Sequence, residues 1–132
     1  MSNFDFSSFK GLYLETARDY IKKLRQNLEV LLVQPDNYDA INTIYIAAHS
    51  LGSQGTLVGY KNIESVCSTI ERIFKKIKEG NLKISQELLT ALKDSVIGLT
   101  NCVDSIDKEN SEIDLSIIKS QLEAISNPPL SS

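Results

Sequence analysis

The sequence predicts an all-α fold, an up-down antiparallel four-helix bundle with a fifth C-terminal helix packed outside it. Two observations carry that expectation. Apolar residues recur at alternating steps of three and four in five separate stretches, the spacing of one face of a helix. Between those stretches fall Pro, Gly, Asn and Ser, residues that stop or start helices. No strand-like alternation, internal repeat or low-complexity tract competes with this reading.

The first helix is expected over about residues 6–34, with Leu14, Ala17, Ile21, Leu24, Leu28 and Leu31 as its apolar line. Glu15, Arg18, Asp19, Lys22, Lys23, Arg25, Gln26 and Asn27 stand between them and give the other face to water. Pro35-Asp36-Asn37 breaks the pattern, because proline restrains the residue before it and Asp or Asn caps the next helix through a side-chain oxygen. The second helix, about 38–58, carries Ile41, Ile44, Ala48, Leu51, Gly55 and Val58 on one line. Gly59 closes or bends it. The third, about 61–79, runs through Ile63, Val66, Ile70, Ile73 and Ile77 and stops at Glu79-Gly80-Asn81 with a C-terminal glycine. Ser85 is an N-cap for the fourth, about 85–107, with Leu89, Leu92, Val96, Leu99, Val103 and Ile106 as its line. A shorter fifth helix, about 111–125, follows through Leu115, Ile118, Leu122 and Ile125. The bundle is thus expected over 6–126, and 127–132, with Asn127-Pro128-Pro129, as a tail or the start of a linker.

A chain of 132 residues fits one domain and buries about two-thirds of the surface its unfolded form exposes. A net charge of −3 argues against a nucleic-acid partner, which needs clustered Lys and Arg to displace counterions. The longest aliphatic run, Val30 to Val33, is far too short to cross a bilayer, and no charged-then-apolar leader opens the chain. Membrane insertion is not expected, and the cytoplasm is the expected location. Cys67 and Cys102 have no C-x-x-C spacing and no second histidine to complete a metal shell, so both read as packing residues.

His49 is the only histidine. It lies one residue beside the apolar line of the second helix, at the edge of the packed seam, and Glu71 lies one residue off the line of the third. In an antiparallel hairpin of these helices the two edge positions can meet. A carboxylate that accepts the Nδ1 proton of an imidazole fixes the ring and leaves the Nε2 lone pair free to attack a phosphoryl group.

The surrounding residues are Ala47-Ala48-His49-Ser50-Leu51, then Leu57, Gly59 and Tyr60, then Ile70-Glu71. This set resembles the phosphoacceptor motif of histidine phosphotransfer (HPt) domains, most closely the N-terminal phosphotransfer domain of CheA-type chemotaxis histidine kinases. The resemblance covers nearly the whole chain and implies the same five-helix architecture. It implies that His49 is the phosphoacceptor and that Glu71 orients its imidazole. Tyr45, Gly52, Ser53 and Thr56 are the expected partner-docking positions. The implied partners are a histidine kinase catalytic domain as donor and the receiver domain of a response regulator, whose aspartate takes the phosphoryl group.

No glycine-rich nucleotide loop or acidic Mg²⁺ cluster is found, so no cofactor is expected in this chain, and ATP and Mg²⁺ are expected on partner domains. No intrinsic catalytic site is expected, the chain being read as the phosphoacceptor domain of a histidine kinase or phosphorelay. Departures from the family pattern are Gly52 for the usual Lys, Ser53 for Gly, Ile46 for Arg and Ser68 for His. The missing Lys predicts slower transfer. Small residues at 52 and 53, three and four beyond His49 on its own face, either leave the ring uncovered or mark a helix ending near Leu51. The alternative reading is a phosphorylation-independent helical interaction module that binds a regulator or kinase.

Overall fold

Short connections decide how the helices pack. A computed structural model of the chain describes residues 6–126, so the expected tail over 127–132 lies outside the described residues. Its helices are α1 (Phe6–Val33), α2 (Tyr38–Val58), α3 (Lys61–Lys78), α4 (Gln86–Glu109) and α5 (Ser116–Ser126). Residues 34–37, 59–60 and 79–85 are too few to do more than reverse the chain, which makes α1 to α4 antiparallel neighbours in sequence order. Helix α1 also packs on α4 and closes the ring, while α5 lies outside against α3 and α4. No strand occurs among the described residues. The expected fold class is the one observed.

The turns use the residues expected of them. Asn37 caps α2 by accepting from the Ala40 N–H at 3.0 Å, and Ser85 caps α4 by accepting from the Leu88 N–H at 3.1 Å. Gly59 ends α2 at φ 85°, a left-handed conformation that costs a residue with a Cβ dearly, and the chain turns at once into α3.

All apolar lines of α1 to α4 face one core, with Val58 and Ile77 only partly covered at its ends. Both cysteines are free thiols inside that core. Burial pushes the Cys102 thiol up to about 11 and raises Cys67 further, so both stay protonated packing groups.

The fifth helix starts at Ser116 rather than near 111. Asn110, at φ 57°, ends α4 in a left-handed residue. The Asp114 carboxylate then accepts the Ser116 N–H at 2.9 Å and starts the next helix. Leu115, assigned to the helix by periodicity, is a buried residue of the loop before it. Periodicity alone could not tell it from a first helical residue.

The loop also performs a task across the fold. Its Glu112 carboxylate accepts the N–H groups of Asn62 at 3.1 Å and Ile63 at 2.9 Å. These are two of the four N–H groups that the start of α3 leaves without a helical partner. Tyr60, the residue at the α3 N-cap, makes no side-chain cap bond of its own. A carboxylate from fifty residues away therefore does the capping, and its charge suits the positive end of the helix dipole.

Candidate functional site

The α2–α3 hairpin places the site because its two helices approach closely along their middle. Gly52 faces α3 there. A Cβ at position 52 would lie 3.1 Å from the Cys67 Cβ, closer than carbon atoms normally pack, and one at Gly55 would lie 3.2 Å from the Tyr60 carbonyl oxygen. Glycine at 52 is thus what lets the backbones close up. The helix does not end near Leu51, since it runs on to Val58.

With the helices this close, the edge residues meet. His49 Nδ1 lies 3.2 Å from Glu71 Oε2. A carboxylate can only accept, so in a hydrogen bond at this contact Nδ1 is the donor, and the neutral ring in that tautomer has its lone pair on Nε2. The His49 side chain is 60% exposed and Glu71 31% exposed. The ring is therefore held from the protein side and open on the other. Among the described residues Glu71 forms no ion pair with Lys75, four residues on, and pairs with His49 instead.

Beside the ring is a cleft of about 150 Å³, lined on α2 by His49, Gly52, Ser53 and Thr56 and on α3 by Glu64, Ser68 and Glu71. Three of the four expected docking positions line it. Ser53 and Thr56 are exposed, and the Thr56 hydroxyl donates back to the Gly52 carbonyl at 3.1 Å. Gly52 is buried, so it shapes the cleft by the space it leaves and offers no surface of its own. Tyr45 stands apart, one turn before His49. The Lys78 ammonium sits 4.4 Å from its ring centroid and donates to Asn42 Oδ1 at 2.8 Å, which fixes the tyrosine in place.

Sequence reasoning overlooked Glu64, and named Ser68 only as a departure from the family pattern. Their spacing from Glu71, seven and three residues, puts all three on one face of α3, and that signal was present. Glu112 had no local signal, since its partners are remote in sequence. Among the described residues no group of three or more His, Cys, Asp or Glu could hold a metal ion. No helix among them is long and apolar enough to cross a membrane.

Comparison with known proteins bears on the family and the fold. Residues 8–109 match the family model described as Hpt domain. The chain is 20% identical over 120 residues to the chemotaxis protein CheA of Bacillus subtilis, covering 90% of this chain and 18% of that protein. It is 27% identical over 86 residues to the chemotaxis protein CheA of Borreliella burgdorferi, covering 65% of this chain and 10% of that protein. The chain thus spans less than a fifth of these relatives. Its fold is similar to the solution structure of the histidine phosphotransfer domain of CheA, with a TM-score of 0.87 at 21% identity over 97% of this chain and 98% of that one.

Proposed function

The chain belongs to the Hpt domain family, the phosphocarriers of two-component signalling, and from that premise we propose that His49 is its phosphoacceptor and Glu71 the residue that orients it. The observation that carries this reading is the 3.2 Å contact between Nδ1 and the Glu71 carboxylate beneath an exposed ring.

In the uptake step the Nε2 lone pair forms a bond to the γ-phosphorus of ATP held by a kinase domain, and the bond from that phosphorus to its bridging oxygen breaks. ADP leaves. The ring acquires positive charge while keeping its Nδ1 proton, and the Glu71 carboxylate stabilises that charge. In the second step the N–P bond breaks as a carboxylate oxygen of a receiver-domain aspartate bonds to phosphorus, and the ring returns to neutral with its proton still on Nδ1. ATP and Mg²⁺ belong to the partner domains in this scheme, and a cytoplasmic site of action follows from the use of ATP. The carrier module is placed at residues 6–126, with Tyr45, Gly52, Ser53 and Thr56 on or beside the partner-facing surface.

The test is labelling by a CheA-type kinase domain with radiolabelled ATP. Wild type takes up label, and His49→Gln takes up none. Glu71→Ala keeps its fold but takes up label about five- to tenfold more slowly, the worth of a partly exposed hydrogen bond to a charged group. An unlabelled wild type, or equal labelling of His49→Gln, contradicts the reading.

A further inference from the structure

The cleft beside His49 has a charge that the chain leaves unbalanced. Glu64 and Glu71 both line it, and no Lys or Arg does. Glu71 is engaged by the imidazole. Among the described residues the Glu64 carboxylate makes no side-chain hydrogen bond or ion pair, and the hydroxyls of Ser53 and Ser68 make none either, so nothing in the fold claims the far half of the cleft. At Gly52 the α2 wall of the cleft carries no side chain. A phosphoryl group on Nε2 adds close to two negative charges at its mouth. The phosphorylated cleft then holds three anionic groups against the one cationic ring that Glu71 already engages, while the transferring phosphoryl group needs positive charge around its equatorial oxygens.

We infer that Glu64 is a specificity-determining residue of this phosphotransfer site: it keeps the cleft anionic, so that efficient transfer requires a partner whose own guanidinium or ammonium group enters over Gly52. The inference rests on the phosphocarrier reading. Glu64 raises the free energy of phospho-His49 in the isolated chain. A partner cation seated between Glu64 and the phosphoryl oxygens removes that penalty when the two proteins dock. A partner without such a cation meets only repulsion, which costs it both encounter rate and transfer rate.

The experiment uses the chain with a CheA-type kinase domain, ATP and a receiver domain. It reads the fraction of His49 phosphorylated at a fixed donor level, then the transfer rate to the receiver as ionic strength is raised. For Glu64→Gln the phosphorylated fraction should rise by about two- to fivefold at low salt, the range for a partly exposed charge pair. Transfer from wild type should slow as salt is added, and transfer from Glu64→Gln should depend less on salt. Glu64→Asp should restore wild-type behaviour in both readings, whereas a role confined to stabilising the start of α3 would alter denaturant unfolding and leave the salt dependence of transfer unchanged. If wild type is labelled on His49 and Glu64→Gln matches it in both readings, this inference is overturned and the carrier reading stands. If wild type is not labelled, both fall.

Discussion

At the scale of single residues, the account turns on what each side chain is able to do. His49 is readable from the sequence because it is the only histidine and lies one position beside an apolar line, which fixes it at a seam. Glu71 is readable for the same reason on the next helix. Gly52 is the residue whose meaning changes. Its position suggested an uncovered ring, but the structure assigns it to the approach of two backbones, a contact with Cys67 that no local pattern encodes. The consequence is testable. Gly52→Ala gains about 1 kcal/mol of helix propensity. It also forces α2 and α3 apart against a Cβ that cannot swing away, an overpacking cost of about 1–3 kcal/mol. We expect a net loss of stability in denaturant unfolding; a variant more stable than wild type would show that the hairpin has slack. Gly52→Lys carries the same steric cost, so any benefit of an amine beside the acceptor comes at the expense of helix approach.

At the scale of elements, the apolar spacing defines four helices almost to the residue because each is long and because Asn37, Gly59, Gly80 and Ser85 mark ends of α2, α3 and α4 by stated mechanisms. The start of α5 is misplaced by five residues because the α4–α5 loop contributes one buried apolar side chain, Leu115, at helical spacing from Ile118 and Leu122. That loop holds α3, the helix that carries Glu64, Ser68 and Glu71, through the Glu112 carboxylate. Glu112 lies beyond the stretch that matches the family model, so the C-terminal part of the chain supports the site without touching it. Glu112→Ala removes that cap and should cost about 1–2 kcal/mol of stability. Hydrogen exchange at the Asn62 and Ile63 amides should accelerate, while Asn37-capped α2 keeps its protection. Unchanged exchange at both amides would mean that water serves as well as the carboxylate.

At the scale of the whole molecule, the bundle presents one imidazole at its rim, and the proposed carrier role leaves the rest of the chemistry to partner domains. The bundle contributes position: two helices drawn together by Gly52 and Gly55, one of them capped from the far end of the chain, hold a ring and a carboxylate in register. The fold class and the meeting of His49 with Glu71 were legible because helical period and edge placement are local properties. The cleft, its unpaired Glu64 and the remote cap were not, since they arise only when distant segments pack. The central claim is that Glu71 holds the proton on Nδ1 and leaves Nε2 as the reacting atom. The most direct test is nitrogen-15 and phosphorus-31 NMR of the imidazole before and after phosphorylation, unambiguous in a chain with one histidine. The account predicts a protonated Nδ1 in the free protein and phosphorus coupled to Nε2 in the labelled one, whereas a proton on Nε2 in the free protein, or phosphorus bonded to Nδ1, would contradict it.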